Sequence, residues 1–321
     1  MVYSFSMSYW SKLTKPFFAL APMDGATDTV FRQVVAKAGR PDVFFTEFVN
    51  TDGYCSPDGR HSTEARLRFT STDQPLIAQI WGTKPEHFAL MAKDLASMGY
   101  VGIDINMGCP VRDVIKRGAC SALIQTPDLA AKIITATKEG GLPVSVKTRI
   151  GFNQPNTDEW IGFLLKQDLA ALTIHARTAK ELSKVPAHWQ EIAKAVKLRD
   201  KIAPQTLIIG NGDVADRADG LHRIAETGAD GIMIGRGAFN NVFCFEQNPR
   251  HHTPAEYLEL LHYHLDLFEQ TWQGQKRSYQ PLKRFFKIYV RDFAGAGELR
   301  EALMNTKDIN EARTVLDSSR I

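Results

Sequence analysis

The sequence is poor in cysteine, and its cysteines are not spaced as metal ligands or redox pairs. Among 321 residues there are 4 cysteines, which lie at positions 55, 109, 120 and 244 without a C-x-x-C pair. This pattern excludes a disulfide scaffold and any zinc site that can be read from sequence, and it is typical of a reducing compartment. We therefore expect a cytoplasmic protein without a metal ion.

Long apolar runs and a strong excess of one charge are also missing. No run approaches the roughly 18 residues that a membrane span needs. The first sixteen residues, MVYSFSMSYWSKLTKP, lack the apolar core of a signal peptide. Lys and Arg total 39 and Asp and Glu total 36, which leaves a net charge of +3. A nucleic-acid partner would thus need a local cluster of charge, and no membrane partner is expected.

Short apolar runs are abundant, and each is followed by turn residues and then by helical spacing. Eight such runs occupy residues 17–23, 43–49, 76–82, 102–108, 144–151, 172–177, 207–213 and 231–237. Between them, residues 87–99 and 128–139 repeat apolar positions at helical intervals. Eight βα units ending near residue 245 predict an α/β protein with a (β/α)8 TIM barrel. The alternative is a doubly wound open sheet with miscounted strands.

After Pro249 the sequence predicts helices alone. Residues 254–272 and 281–293 have apolar positions at helical spacing and no strand pattern. We therefore expect a TIM-barrel domain in residues 1–248 and a small all-helical domain in residues 249–321.

Polar or conformationally special residues follow all eight predicted strands. In chain order they are Pro22-Met23-Asp24, Glu47, Gln79, Asn106 with Cys109, Lys147 with Arg149, His175 with Arg177, Asn211-Gly212-Asp213, and Gly235-Arg236. The carboxyl ends of the strands build the active site of this fold. Hydrogen-bond donors outnumber carboxylates in the set, so we expect an electropositive mouth that binds an anion.

The last two predicted strands end in glycine-rich turns, GNGDV from Gly210 and GRGAF from Gly235. The loops after the seventh and eighth strands are the recurrent phosphate site of TIM barrels, and Arg236 would add a planar pair of donors. Glycine-rich turns also arise for plain steric reasons, so neither loop alone indicates a phosphate site. Together they favour a phosphate site.

Lys147 lies in the middle of an apolar strand. An inward ammonium group costs solvation free energy unless an anion meets it. One interpretation is a structural ion pair with Glu47. The other is a cation held against the electron-rich N1–C2 carbonyl edge of a reduced flavin, with His175 beside it as a second donor.

Cys109 lies in the sequence NMGCP, directly after the fourth predicted strand. Most free cysteines are buried small apolar residues, which is our interpretation of Cys244 and of Cys120. The flanking glycine and proline place Cys109 in a loop over the mouth, where an exposed thiol acts as an acid or a nucleophile. Asn106 would orient a substrate carbonyl there.

These residues together make the chain resemble the tRNA-dihydrouridine synthases. The shared motifs are Ala21-Pro22-Met23-Asp24-Gly25, Thr46-Glu47, Gln79-Ile80-Trp81-Gly82, Asp104-Ile105-Asn106-Met107-Gly108-Cys109-Pro110, Arg117-Gly118-Ala119, Val146-Lys147-Thr148-Arg149, His175-Ala176-Arg177-Thr178, Gly210-Asn211-Gly212-Asp213 and Met233-Ile234-Gly235-Arg236-Gly237. The element N-x-G-C-P is highly specific. In one departure, KELSKVPAHW replaces the Tyr-Gly element that many members have before the Trp, which leaves the tRNA contacts of residues 179–188 open.

The resemblance implies an FMN-binding barrel that uses NADPH to reduce uridine in tRNA at the C5–C6 double bond. It implies that Cys109 donates the proton to C5 while the flavin N5 delivers hydride to C6. The residues that it implies for FMN are Pro22, Met23, Asp24, Gln79, Lys147, His175, Asn211, Gly212, Asp213, Gly235 and Arg236. Asn106 would approach the target base and Arg177 would contact tRNA. A thiol with the usual pKa of about 8.5 is mostly protonated at neutral pH, as a donor must be.

A cluster of basic side chains in the predicted helical domain is suited to tRNA. Its members are Lys276, Arg277, Lys283, Arg284, Lys287 and Arg291, with no Asp or Glu among them. On a helix, positions 283, 287 and 291 share one face and 284 lies beside it, so we assign Lys283, Arg284 and Lys287 to tRNA phosphates. The alternative is a solvated basic face whose Phe285 and Tyr289 pack inward.

Three other functions are compatible with parts of the sequence. An FMN barrel oxidoreductase of a small molecule, such as a dihydroorotate or dihydropyrimidine dehydrogenase, would share Lys147 and the phosphate loops but would not require the basic cluster. A tRNA-binding protein without catalysis would not need Cys109. A lyase or isomerase would need a carboxylate base, for which Glu47 is the candidate. We expect a monomer.

Overall fold

A computed structural model describes residues 9–275 and 277–319. Residues 1–8 of the N-terminal segment and Lys276 of the basic cluster lie outside the described residues. The strands are β1 Phe17–Leu20, β2 Phe44–Phe45, β3 Val49–Asn50, β4 Leu76–Trp81, β5 Gly102–Met107, β6 Val144–Arg149, β7 Ala171–His175, β8 Leu207–Asn211 and β9 Gly231–Ile234.

The strands form one parallel sheet that closes into a barrel. Their order is β1-β9-β8-β7-β6-β5-β4-β2, and β3 also pairs with β4. A parallel bridge between Ala19 and Val43 joins β1 to the start of β2 and closes the ring. The predicted TIM barrel is therefore confirmed, and the open-sheet alternative is wrong.

The prediction of one continuous strand over residues 43–49 is wrong. Phe45 pairs with Ile77, and Val49 pairs with Ile80. Three residues of this segment therefore face two residues of β4. One extra residue interrupts the ladder and bends the strand, as a bulge does, so the segment divides into β2 and β3.

Helices cover the outside of the barrel and form the C-terminal region. They are α1 Thr29–Ala38, α2 Thr51–Cys55, α3 Pro57–Leu67, α4 Pro85–Ser97, α5 Arg112–Lys116, α6 Pro127–Lys138, α7 Gly162–Leu165, α8 Trp189–Ile202, α9 Arg217–Thr227, α10 Gly237–Asn240, α11 Pro254–Trp272, α12 Phe286–Tyr289, α13 Ala296–Asn305 and α14 Ile309–Ser318. Short 3-10 helices occur at Tyr9–Lys12, Ser71–Asp73, Cys120–Gln125 and Gln280–Phe285, and a π-helical turn occurs at Thr157–Ile161. α4, α6 and α11 confirm the helices predicted at 87–99, 128–139 and 254–272. None of the described helices is long and apolar enough to cross a membrane.

The barrel interior is apolar at one end and polar at the other. Trp10 packs edge-on against Phe17 with the ring centroids 6.4 Å apart, so the amino-terminal end of the barrel is filled. Toward the carboxyl ends of the strands the buried side chains become polar, as at Gln79, Asn106 and Asn211. This change places the functional end at the carboxyl ends of the strands.

Aromatic contacts join the C-terminal helices to the barrel. The Phe285 ring lies 4.8 Å from that of Phe31 in α1 and 5.8 Å from that of Phe239 in α10, measured between centroids. His264 of α11 is buried beside them and is hydrogen bonded to the Tyr289 hydroxyl at 2.8 Å. Phe285 and Tyr289 therefore pack inward, as one of the two interpretations of the basic segment expects.

The predicted helix over residues 281–293 is wrong in its type and extent. A 3-10 helix, Gln280–Phe285, leads into the single turn of α12, which ends at Tyr289. Consecutive residues Phe285 and Phe286 are both buried, so more than one side of the segment faces protein. Packing against the barrel therefore overrides the amphipathic pattern, and positions 283, 287 and 291 are not one regular α-helical face.

Candidate active site

A cavity of about 490 Å³ lies at the carboxyl ends of β1 and β6 through β9. Nine of the eleven residues predicted for FMN line it: Pro22, Met23, Lys147, His175, Asn211, Gly212, Asp213, Gly235 and Arg236. Asp24 and Gln79 do not. Val214, Ala215 and Asn240 also line the cavity and were missed from the sequence.

Lys147 of β6 lines this cavity. Burial, followed by the positive charge of Arg149, lowers the pKa of Lys147 to about 8. No side chain of the described residues forms an ion pair with it, and Glu47 instead accepts a hydrogen bond from the Gly25 N–H. The alternative of a structural Lys147–Glu47 pair is therefore wrong. An anion bound in the cavity would offset the cost of burying the ammonium group.

His175 is a neutral imidazole in this site. Burial and the positive charges of Arg149, Lys147 and Arg177 hold the pKa of His175 far below its usual range. The Arg177 guanidinium lies 3.2 Å from His175 Nε2. Because an arginine can only donate, Nε2 accepts and the ring proton is on Nδ1. His175 can therefore still act as a donor through Nδ1–H.

Asp213 holds two arginines at the edge of the cavity. Its carboxylate pairs with Arg177 and with Arg236 at 3.1 Å, and it accepts from the Ala187 N–H at 3.1 Å. The Arg236 side chain remains 63% exposed. Asp213 thus orients the Arg236 guanidinium at the rim, and a phosphate would be bound by that arginine rather than by Asp213 itself.

Two glycines let the loops around the cavity approach closely. Gly212 has φ of +132°, and a Cβ there would lie 2.9 Å from the Ala187 Cβ. A Cβ on Gly237 would lie 2.5 Å from the Val214 carbonyl oxygen and 2.6 Å from that of Ala215. The loops after β8 and β9 therefore touch and form one wall of the cavity, and only glycine fits at their junction.

A buried polar layer lies beneath the mouth. Gln79 Nε2 donates to Asp104 at 2.7 Å, Ser145 donates to the other Asp104 oxygen at 2.6 Å, and Asn106 Nδ2 donates to Gln79 Oε1 at 3.0 Å. Burial raises the pKa of Asp104 to about 6. The Gln79 amide is thus hydrogen bonded at both ends within the protein.

Asp24, the other residue predicted for FMN that does not line the cavity, pairs with Arg66 at 3.2 Å.

Asn106 and Arg149 fix the loop that contains Cys109. Asn106 Oδ1 accepts from the N–H groups of Gly108 and Cys109 at 3.0 and 2.9 Å. Arg149 Nε donates to the Gly108 carbonyl at 2.8 Å. Since Asn106 also donates to Gln79, its amide is engaged at both ends and it orients the Cys109 loop.

The surroundings of the Cys109 thiol differ from those of an ordinary exposed cysteine and favour its ionised form. A hydrogen bond with Cys120 is the largest cause that lowers the pKa of Cys109 to about 6. The Val111 N–H and the charges of Arg149 and Lys147 act in the same direction, and burial opposes them. Cys109 is half-buried, whereas Cys120 and Cys244 are buried as predicted. The Cys109–Cys120 contact is tertiary, and no pattern in the sequence indicates it.

Residues 19–320 match the family model described as dihydrouridine synthase (Dus). The chain belongs to the dihydrouridine synthase family. A probable tRNA-dihydrouridine synthase of Staphylococcus aureus (strain COL) is 54% identical over 311 residues, which are 97% of this chain and 95% of the relative. The probable tRNA-dihydrouridine synthase 2 of Bacillus subtilis (strain 168) is 53% identical over 311 residues, 97% of this chain and 96% of the relative. The resemblance found from the motifs is confirmed.

Solved structures share the barrel with this dihydrouridine synthase at low sequence identity. Morphinone reductase superposes with a TM-score of 0.53 at 10% identity, over 74% of this chain and 86% of that chain. At this identity the likeness extends to the fold alone. It agrees with the closed parallel sheet described above.

Of the basic residues predicted for tRNA, Arg284 lies beside the loop that follows β1. Arg284 and Lys287 are exposed, and Lys283 is half-buried and donates to the Met304 carbonyl at 2.8 Å. Arg284 donates to the Gly25 carbonyl at 2.7 Å, in the loop that follows β1. Arg284 therefore borders the same loop that supplies lining residues of the cavity.

Arg177 is placed differently from the other residues predicted for tRNA. It is 2% exposed. Its guanidinium donates to the Val185 carbonyl at 2.6 Å and pairs with Asp213. In this structure Arg177 stabilises the loop after β7 from within and does not reach the surface.

A second cavity, of about 910 Å³, lies between α3 and the end of α11. Its lining includes Arg60, Arg68, Arg277 and Trp272. The guanidinium carbons of Arg68 and Arg277 lie 5.4 and 4.7 Å from the centre of the Trp272 ring. Sequence reasoning missed this arginine cleft because its residues are scattered along the chain.

Proposed function

We propose that this dihydrouridine synthase reduces uridine in tRNA to 5,6-dihydrouridine, with FMN as its cofactor and NADPH as its reductant. The observation that carries the proposal is the cavity in which Lys147, His175, the two glycine loops and Arg236 meet. The names of relatives that are 53 and 54% identical support tRNA as the substrate.

The residues present fit FMN in charge, shape and volume. The side chains of Lys147 and His175, which both line the cavity, would supply donors for the electron-rich side of a flavin ring. The turn from Gly235 to Gly237 and the exposed guanidinium of Arg236 supply the donors that a phosphate needs. A volume of about 490 Å³ lies within the usual range of cofactor sites.

Within this proposal, Cys109 supplies the proton that uridine gains, and Lys147 supplies positive charge near the reacting base. Reduced FMN, when bound, supplies hydride for C6 of the uracil ring. The protonated form of Cys109, which is the minor form at neutral pH because its pKa is about 6, gives its proton to C5, and this removes the negative charge that develops there. Lys147 and Arg149 keep the surroundings positive, and Asn106 orients the Cys109 loop. A positioned acid of this kind typically accelerates such a step by about 10²–10⁴-fold.

The basic residues beside the mouth would hold the tRNA. A target base has to leave its stack to reach a buried cofactor, at a cost of a few kcal/mol. Contacts of Arg284 and Lys287 with phosphates would offset that cost. Arg291, whose guanidinium donates to the carbonyl of the cavity residue Asn240, also lies beside the cavity. The arginine cleft would extend the same positive surface.

An absorption experiment tests the proposal. The purified protein, supplied with FMN, is reduced anaerobically by NADPH and then mixed with unmodified tRNA. We expect a flavin spectrum that NADPH bleaches and tRNA restores. Restoration by free uracil or orotate instead of tRNA would support a small-molecule oxidoreductase. Failure to bind FMN would remove the redox proposal and leave only the tRNA-binding alternative.

A further inference from the structure

A chain of hydrogen bonds runs from the buried polar layer to the backbone of the Cys109 loop. Gln79 Nε2 donates to Asp104 at 2.7 Å, and Gln79 Oε1 accepts from Asn106 Nδ2 at 3.0 Å. Asn106 Oδ1 in turn accepts from the N–H groups of Gly108 and Cys109 at 3.0 and 2.9 Å. Asp104 therefore lies at one end of the chain, and the backbone of the Cys109 loop lies at the other.

The register of three neighbouring strands brings the buried members of the chain together. Gln79 of β4 pairs with Asp104 of β5, and Asp104 pairs with Ser145 of β6. Paired residues of adjacent strands direct their side chains to the same face of a sheet, and Asn106 follows Asp104 by two residues on that face. Gln79, Asp104 and Ser145 are completely buried, and Asn106 is nearly so. Each of these polar groups therefore depends on the others for its partners.

Both ends of the chain fix the direction of its bonds. Backbone N–H groups can only donate, so Asn106 turns its oxygen to the loop and its NH2 group to Gln79. Burial raises the pKa of Asp104 to about 6, which leaves the carboxyl mainly ionised at neutral pH and able only to accept. Gln79 therefore turns its NH2 group to Asp104 and its oxygen to Asn106. A reversed Gln79 amide would place two oxygens together at Asp104 and two NH2 groups together at Asn106.

We propose that Asp104 is a positioning residue for the proton transfer, because its carboxylate fixes the direction of the Gln79 and Asn106 amides and through them the backbone of the Cys109 loop. Its role in the reaction rests on the proposed function. Arg149 holds the Gly108 carbonyl separately. Loss of the Asp104 carboxylate should therefore loosen the two N–H groups of the loop without unfolding it.

Hydrogen exchange of the Gly108 and Cys109 amides, measured by NMR on the full chain without FMN or tRNA, tests this chain. Asp104→Leu has a similar shape but leaves the Gln79 NH2 group without its acceptor, so both amides should exchange about tenfold faster or more. Asp104→Asn can turn its oxygen to Gln79 and its NH2 group to the Ser145 hydroxyl, and should keep exchange within about twofold of the unchanged protein. Asp104→Ala removes the acceptor without added bulk and serves if the leucine variant does not fold.

Thr173→Val is the matched control. Thr173 of β7 is fully buried, and its hydroxyl has no hydrogen-bond partner among the described residues, so its loss should leave the exchange of both amides unchanged. A folded Asp104→Leu protein with the exchange rates of the unchanged protein would overturn the proposal. Equal acceleration in Thr173→Val would overturn it too, because it would indicate general loosening of the barrel. Neither FMN nor tRNA is present, so these outcomes are independent of the proposed function.

A double variant tests whether Asp104 acts through Gln79. Gln79→Met removes the amide between Asp104 and Asn106 and should accelerate exchange of the same two backbone amides to a similar degree. Asp104→Leu combined with Gln79→Met should exchange no faster than either single variant, because residues of one chain do not have additive effects. Multiplied effects would show that Asp104 does not act through Gln79.

A kinetic measurement tests the role in the reaction separately. In single-turnover oxidation of the reduced, FMN-saturated protein by tRNA, Asp104→Leu should lower the maximal rate about tenfold, because a misplaced donor loses part of its effect. The tRNA concentration at half-maximal rate should stay the same, and Asp104→Asn should retain most of the rate. An unchanged maximal rate in a variant whose amides exchange faster would remove Asp104 from the reaction. Absence of turnover in the unchanged protein would instead contradict the proposed function.

Discussion

At the residue scale, burial and neighbouring charge set the protonation of the groups around the mouth. Burial lowers the pKa of Lys147 to about 8 and raises that of Glu47 to about 7. The contact with Cys120 lowers the pKa of Cys109 to about 6. The sequence predicted Lys147 and Cys109 as site residues because a lysine inside an apolar strand and a cysteine between glycine and proline are unusual. It could not predict their pKa values, because these depend on how deeply the fold buries each group and, for Cys109, on neighbours from other parts of the chain.

Lys147 should contribute directly to cofactor binding. Lys147→Met retains an apolar side chain of similar length but removes the charge that faces the cavity. We expect FMN to bind about tenfold or more weakly, since a hydrogen bond to a charged group contributes about 1.5–3 kcal/mol. Quenching of FMN fluorescence measures the affinity. Cys109→Ala, outside the cavity lining, serves as the control with unchanged affinity, and equal affinity in both variants would contradict the role of Lys147.

Glu47 should make stability depend on pH. Burial and the negative charge of Asp28 raise the pKa of Glu47 from 4.5 to about 7, so the folded state binds the proton more tightly than the unfolded state. The stabilisation is present at low pH and is lost as pH rises through about 7. By this linkage it amounts to about 3 kcal/mol.

Denaturation in urea at about pH 5 and about pH 8 measures this effect. The unchanged protein should lose unfolding free energy between about pH 5 and about pH 8. The Glu47→Gln variant should lose less. Glu139→Gln changes an exposed carboxylate, 54% exposed, and should leave the pH dependence as it is. An identical loss in Glu47→Gln and the unchanged protein would show that Glu47 ionises normally.

At the element scale, the sequence predicted regular elements well and irregular ones poorly. Continuous apolar runs identified the barrel strands, and the capping box formed by Thr253 and Glu256 starts α11 at the predicted place. The division into β2 and β3 depends on one extra residue opposite β4, which has no pattern of its own. The segment 281–293 has helical spacing, but contacts on more than one side give it a 3-10 turn and an early end at Tyr289.

The contact between the loops after β8 and β9 should be sensitive to a single methyl group. In Gly237→Ala the new Cβ would meet the Val214 and Ala215 carbonyl oxygens at 2.5 and 2.6 Å, so the loops must separate. We expect a loss of about 1–3 kcal/mol in the free energy of unfolding and weaker FMN binding. Denaturant unfolding and FMN titration measure the two effects.

Gly235→Ala is the control for this loop contact. Its Cβ would lie 3.5 Å from the Ala21 Cβ and 3.8 Å from the Met23 sulfur, which are ordinary contacts. We expect its unfolding free energy to change by less than about 0.5 kcal/mol. Equal stability of the Gly237 and Gly235 variants would mean that the two loops are not in firm contact.

At the scale of the whole molecule, the C-terminal helices are held in place beside the mouth. Phe285 packs against both Phe31 and Phe239, and Arg284 donates to the Gly25 carbonyl. The sequence predicted a basic region for tRNA, with inward packing of its aromatic residues as the alternative; that Arg284 lies next to the loop after β1 follows only from the packing. A tRNA bound across this surface would be held against the opening of the cavity.

Charge reversal should separate tRNA binding from catalysis. Lys283→Glu with Lys287→Glu should weaken tRNA binding, and the slope of log affinity against log salt should fall by about 1 for each phosphate that the protein no longer neutralises. The matched control is Lys197→Glu with Lys201→Glu, two exposed lysines on α8, which should change affinity less. Filter binding at several salt concentrations measures both. Equal effects of the two double variants would mean that the basic cluster does not bind tRNA specifically.

The most direct test of the central claim is a measurement of the product in tRNA. An unmodified tRNA transcript is incubated with the protein, FMN and NADPH, digested to nucleosides, and analysed by mass spectrometry. We expect dihydrouridine, a uridine that has gained two hydrogen atoms, at defined positions, and very little of it with Cys109→Ala. Unchanged uridine in the presence of bound, NADPH-reduced FMN would contradict the account.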